Sequence, residues 1–109
     1  MNSESFAWAR GKRAAISLTF DDARLSQVDC GLPVLNRHQV KATFYVSPAA
    51  MLERHEAWKQ AVADGHEIGN HTLNHPCSGN FGFARSQALE DYTLDTMERE
   101  LTGATEFIE

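Results

Sequence analysis

Strand-like and helix-like segments alternate along this chain, and that alternation restricts it to a parallel sheet whose strands are joined by helical crossovers. Residues Ala14-Ala15-Ile16-Ser17-Leu18-Thr19-Phe20 carry apolar side chains at every second position and read as a buried first strand. Val40-Lys41-Ala42-Thr43-Phe44-Tyr45-Val46 repeats the pattern and stops at Ser47-Pro48, because proline has no N–H to offer a ladder.

Between these strands, Gly31 to Arg37 suits a short helix with Pro33 in its first turn and Leu32 and Leu35 on one face. From Ala50 to Asp64, Met51, Leu52, Trp58, Ala61 and Val62 recur near helical spacing, with Gly65 placed as a C-terminal cap. His66 to His71 then reads as a short third strand, and Thr72 to Phe83, rich in Asn, Ser, Gly and Pro, as loop. Ser86 to Leu101, with Leu89, Tyr92, Met97 and Leu101 on or near one face, predicts a helix ending at Gly103.

In parallel β/α sheets, ligands bind beyond the C-terminal ends of the strands. Asp21 and Asp22 follow the first strand, Ser47 and Pro48 the second, and His71 to His75 the third, so the candidate functional groups fall on one sheet edge. Extended backbone would turn Asp21 and Asp22 in opposite directions, so one can ligate an ion while the other stands by as a proton acceptor. His71 and His75 are four apart, and Pro76 predicts a compact turn there rather than a long helix. Taken singly, an Asp pair at a strand end is also a turn signal, and a His pair in a polar loop is also ordinary surface.

One of the two aspartates, Asp22 in one case, together with His71 and His75 would form a set of hard and borderline donors suited to Zn2+ first, with Co2+, Ni2+ or Mn2+ also accommodated. His38, His55 and His66, before strands or on a helix, are expected to be unligated surface or boundary residues. Cys77 lies two residues past His75 and is expected to be a loop thiol rather than a fourth ligand, and Cys30 and Cys77 read as free thiols.

The 109 residues, 42% of them hydrophobic, suffice for one domain with one modest core. A formal charge of −5 argues against a sequence-independent nucleic-acid binder. No apolar stretch reaches the roughly 18 to 20 residues of a membrane span, and Met1 to Ser5 lacks the apolar core of a secretory signal. As written, the chain reads as cytoplasmic, which leaves its compartment open, and no nucleic-acid or membrane partner is expected.

Thr19-Phe20-Asp21-Asp22, Lys41-Ala42-Thr43-Phe44-Tyr45-Val46 and His71-Thr72-Leu73-Asn74-His75-Pro76, in this order and spacing, resemble the opening motifs of the polysaccharide deacetylases, carbohydrate esterase family 4. The resemblance runs from about Ala14 into the third helix. It implies an α/β fold whose parallel β/α units form the first half of a distorted (β/α) barrel. It also implies a zinc or similar ion on Asp22, His71 and His75, with Asp21 as general base in hydrolysis of N- or O-acetyl groups on an acetylated glycan.

Two departures from the family pattern stand out. Ala23 occupies a position where glycine is usual, an exchange expected to matter little provided that backbone keeps a negative φ. The family's later motifs, which supply oxyanion donors and a general acid, are not visible before Glu109. Residues 1–109 are therefore expected to be a single partial domain, either an incomplete fragment of such an enzyme or a chain completed by a second chain or by another copy in a homo-oligomer. A non-catalytic metal- or glycan-binding module of the same fold is the alternative. A two-metal phosphoesterase and a purely structural β/α fragment are the further readings.

Overall fold

A computed structural model of the chain describes residues 6–109; the reading of Met1 to Ser5 as free of a signal sequence lies outside them. Three parallel strands, β1 (Thr19–Asp21), β2 (Thr43–Val46) and β3 (Glu67–Asn70), form one sheet in the order β1-β2-β3. Phe20 lies opposite Phe44, and Asp21 opposite Tyr45; on the other side, Tyr45 faces Gly69 and Val46 faces Asn70. Helix α1 (Leu32–Arg37) crosses from β1 to β2, and α2 (Pro48–Leu52) with α3 (His55–Ala63) crosses from β2 to β3. The last helix, α4 (Leu94–Ile108), packs against β3 and α2.

The central strand carries the core. Phe44 and Val46 are buried on one face of β2, packed with Val28, Leu32, Met51, Trp58 and Ala61 from the helices that cover it. Phe44 sits between two aromatic neighbours, stacked on Phe20 at 5.2 Å and edge-on to Trp58 at 5.3 Å. Such pairs add to the burial of apolar area that holds helix to sheet.

Four expectations about the elements need correction. The first strand is shorter than residues 14–20 and is not buried: Ile16, 89% exposed, and Leu18 precede it and are open, as is Phe20 within it, and β1 lies at the edge of the sheet. The helix before β2 is longer, with residues 25–26 and a π-helical turn at Gln27–Gly31 running into α1. The segment from Ala50 to Asp64 is two helices, broken at Arg54, whose φ of −139° and ψ of 41° are not helical. Its guanidinium reaches back to the Glu53 carbonyl and across to Asp29.

Helix α4 starts later and runs further than its sequence suggests. Short 3-10 turns at Arg85–Gln87 and Leu89–Asp91 precede it, Thr93 caps the helix by accepting from the Thr96 amide, and the helix passes through Gly103 to Ile108. Its covered stripe is Met97, Glu100, Ala104 and Ile108, whereas Leu101 faces outward. Gly103 is not a cap: a Cβ there would lie 2.7 Å from Leu73 Cδ1, so the missing side chain admits the loop after β3. Among the described residues, no helix is long and apolar enough to cross a membrane.

Candidate metal centre

The turn after β1 is built from two residues with positive φ, Asp22 at 77° and Ala23 at 51°. This overturns the expectation that Ala23 keeps ordinary backbone, and the residue is buried as well. The left-handed turn ends the strand abruptly and leaves the Asp22 carboxylate half-buried at the sheet edge.

The ladder continues one residue past β3, where the His71 amide donates to the Val46 carbonyl at 3.0 Å. The chain then reverses through positive φ at Thr72 (66°) and His75 (51°). Three side-chain bonds fix the reversal. Asn70 Oδ1 accepts from the Thr72 amide at 2.7 Å, Thr72 Oγ1 accepts from the His75 amide at 3.1 Å, and Ser47 Oγ donates to the His71 carbonyl at 3.0 Å. The result is a compact turn, and it brings the two imidazole rings within 4.9 Å, centroid to centroid.

Both imidazoles approach one atom. His71 Nε2 lies 3.1 Å and His75 Nε2 3.3 Å from Asp22 Oδ1, while Arg24 Nη2 donates to Asp22 Oδ2 at 3.3 Å. Burial pushes the Asp22 carboxyl up, but the Arg24 hydrogen bond and the facing His75 and His71 outweigh it and hold the group below its ordinary value. One donor atom from each of Asp22, His71 and His75 lies within 4.8 Å of the others. Two borderline nitrogens and one hard oxygen converging at this separation fit a divalent cation that retains open coordination positions.

Asp21 ends β1 with its side chain exposed, and its carbonyl accepts from Gln27 Nε2 at 2.5 Å. A cleft of about 560 Å³ opens beside the cluster, lined by Asp22, Arg24, Ser47, Glu53, His75 and Phe83 among others. Cys77 is not part of the cluster, and both cysteines are free.

His66 is neither surface nor boundary. It is 4% exposed, accepts from the Ala42 amide on Nδ1 at 3.2 Å, and places Nε2 2.7 Å from Asn36 Oδ1. Arg24, Asn70, Glu100 and Phe83 belong to the surroundings of the cluster without having been singled out from the sequence. For Glu100 a signal existed, since a carboxylate in step with Met97 and Ala104 lies on the covered stripe of an amphipathic helix.

Comparison with known proteins bears on the family and the fold. The family model described as polysaccharide deacetylase matches residues 9–109. Over 62 residues, 56% of this chain, the sequence is 42% identical to a peptidoglycan-N-acetylglucosamine deacetylase of Listeria monocytogenes, of which it covers 13%. Over 64 residues, 57% of this chain, it is 41% identical to a chitooligosaccharide deacetylase of a Bradyrhizobium species, of which it covers 29%. Among solved structures, a family 4 carbohydrate esterase from Bacillus anthracis superposes with a TM-score of 0.66 at 28% identity, covering 84% of this chain and 40% of the esterase. The chain thus spans less than half the length of each of these relatives, and its mixed helices and parallel strands match the esterase structure, a distorted (β/α) barrel.

Proposed function

The chain belongs to the polysaccharide deacetylase family, and on that premise we propose that it forms the metal-holding part of a hydrolase that removes N- or O-acetyl groups from an acetylated glycan. The observation that carries this reading is the convergence of His71 Nε2 and His75 Nε2 on Asp22 Oδ1. In it, Asp22, His71 and His75 are the ligands and Zn2+ the first-choice ion, with Co2+, Ni2+ and Mn2+ as substitutes. When bound there, such a cation supplies Lewis acidity and stabilises negative charge developing on the acetyl carbonyl oxygen.

The remaining roles fall to this chain's own groups. Asp21, adjacent to a ligand and exposed at the end of β1, accepts a proton from the attacking water. The Asn70, Thr72 and Ser47 hydrogen bonds keep the two imidazoles turned inward. The new carbonyl-carbon to oxygen bond replaces the bond to the sugar nitrogen or oxygen, giving acetate and a free amine or hydroxyl. Residues 1–109 serve as one partial deacetylase-like domain, so full turnover is proposed for this chain together with whatever completes the barrel.

Metal content after zinc reconstitution, measured for the natural chain and for Asp22→Ala, tests the reading. About one zinc per chain, lost in the variant, is the expected result. Equal zinc in both would remove Asp22 from the ligand set, and zinc in neither would mean that residues 1–109 do not hold the metal by themselves, against the reading of this chain as the metal-holding part. Retained zinc with no acetate released from acetylated chitooligosaccharide in the completed barrel would favour a metal- or glycan-binding module instead.

A further inference from the structure

Helix α4 contributes no ligand to the cluster, yet one of its carboxylates is buried against the loop that carries both histidines. Glu100 is 4% exposed. Its Oε2 accepts from the Asn74 amide at 2.9 Å, and its Oε1 accepts from Asn74 Nδ2 at 2.6 Å and from the Tyr92 hydroxyl at 3.2 Å. Its own backbone carbonyl accepts from the Leu73 amide at 3.2 Å. Leu73 and Asn74 are the two residues between Thr72 and His75, so one helical residue holds the middle of the turn by main chain and side chain together.

We propose that Glu100 is the positioning residue of the histidine loop, a carboxylate whose hydrogen bonds to Asn74 set the separation of His71 and His75. This rests on the metal-site reading above. The argument is geometric. The turn contains two residues with positive φ, Thr72 and His75, a conformation that neither adopts cheaply and that therefore has to be imposed by surrounding contacts. A carboxylate offers several acceptor sites and can bind a backbone and a side-chain N–H of the same residue at once. An apolar residue at position 100 would leave both Asn74 donors and the Tyr92 hydroxyl to find other partners. Asn70 adds a second tie from the same helix, donating from Nδ2 to the Leu101 carbonyl at 2.7 Å and to Thr105 Oγ1 at 2.9 Å. The loop is thus fastened at its start by Asn70 and at its centre by Glu100, and neither touches the ligand atoms.

The test compares the natural chain, Glu100→Ala, Glu100→Gln and Asn74→Ala by two readouts: amide exchange across residues 71–76 without metal, and cobalt(II) affinity by visible absorption. Glu100→Ala is expected to speed exchange at Asn74 by about tenfold or more and to weaken cobalt affinity about 10- to 100-fold. Glu100→Gln, which keeps one acceptor oxygen, should lie between. Asn74→Ala removes only the Nδ2 bond and keeps the main-chain N–H that donates to Glu100 Oε2, so its effect on cobalt affinity should be smaller than that of Glu100→Ala and should not add to it. Glu100→Gln, which cannot accept from both Asn74 donors through two oxygens, serves as the decisive variant if Glu100→Ala does not fold.

Unchanged exchange and unchanged cobalt affinity in folded Glu100→Ala, or in Glu100→Gln in its place, would overturn the proposal. If the natural chain binds no cobalt, the metal-site reading fails, while the exchange at Asn74 still decides whether Glu100 positions the loop.

Discussion

The ring of Tyr45 occupies the space in which Gly69 would carry a side chain: a Cβ built on Gly69 would lie 2.6 Å from Tyr45 Cδ1 and 2.7 Å from Tyr45 Cε1. The two residues are direct partners across β2 and β3, so an aromatic ring covers a glycine in the strand that leads into the histidine turn. Glycine here serves close approach rather than a left-handed backbone.

Gly69→Ala is therefore expected to destabilise the chain by about 1–3 kcal/mol, the usual cost of forcing an extra methyl into packed space. In a Tyr45→Ala background the same substitution should cost little, because the ring that it meets is gone. Urea unfolding of the four combinations checks both statements, and a Gly69→Ala penalty that persists without the ring would mean that Tyr45 is not its cause.

Ala23 combines burial with a φ of 51°. Left-handed backbone costs an L-residue roughly 1–2 kcal/mol relative to its ordinary conformation, and glycine would remove that strain while giving up a buried methyl worth about 0.8 kcal/mol. The two effects nearly cancel, so Ala23→Gly should change stability by less than about 1 kcal/mol. Ala23→Val has no such compensation, since a β-branched residue is an outlier at positive φ, and it should lose more than about 2 kcal/mol. Denaturant midpoints for both variants test the ordering, and a valine variant as stable as the natural chain would contradict the left-handed turn.

The order of elements and the grouping of Asp22, His71 and His75 are legible in the sequence because both depend on local signals. Alternating apolar residues mark strands, Pro and Gly punctuate them, and strand ends place polar residues on one edge. What is not legible depends on residues far away in the chain. The break at Arg54 involves Asp29 in another element. Gly103 has the local look of a cap, yet its place inside α4 follows from contact with Leu73. Burial of Ile16 and Leu18 was expected from their alternation, but alternation gives a strand's faces and not whether a neighbour covers them.

His66 predicts how acid acts on the fold. Burial holds its imidazole below the ordinary 6.5, nearby Lys41 adds to this, and Asp64 opposes it. The folded pKa therefore lies below the unfolded one, and between them the unfolded chain binds more protons. The stability contributed by neutral His66 is complete above about pH 6.5 and is lost as pH falls from there through the lowered folded value. Protonation would also put a hydrogen on Nδ1 where the Ala42 amide now donates. Urea midpoints should fall on acidification from neutral pH more steeply for the natural chain than for His66→Gln. Parallel pH profiles for the two proteins would remove His66 as the cause.

Asp21 and Asp22 are adjacent, and the separate roles proposed for them make opposite predictions. Asp22 Oδ1 is the atom that both imidazoles face, whereas the Asp21 side chain is exposed at the end of β1. Asp21→Asn preserves size and leaves the three donor atoms in place, so zinc content should stay at the level of the natural chain. The amide cannot take up a proton from water, however, and acetate release by the completed barrel should fall by about 10²–10⁴-fold. Parallel loss of zinc and turnover in Asp21→Asn would make Asp21 a ligand rather than a base. Full activity with full zinc would place the proton acceptor on another residue.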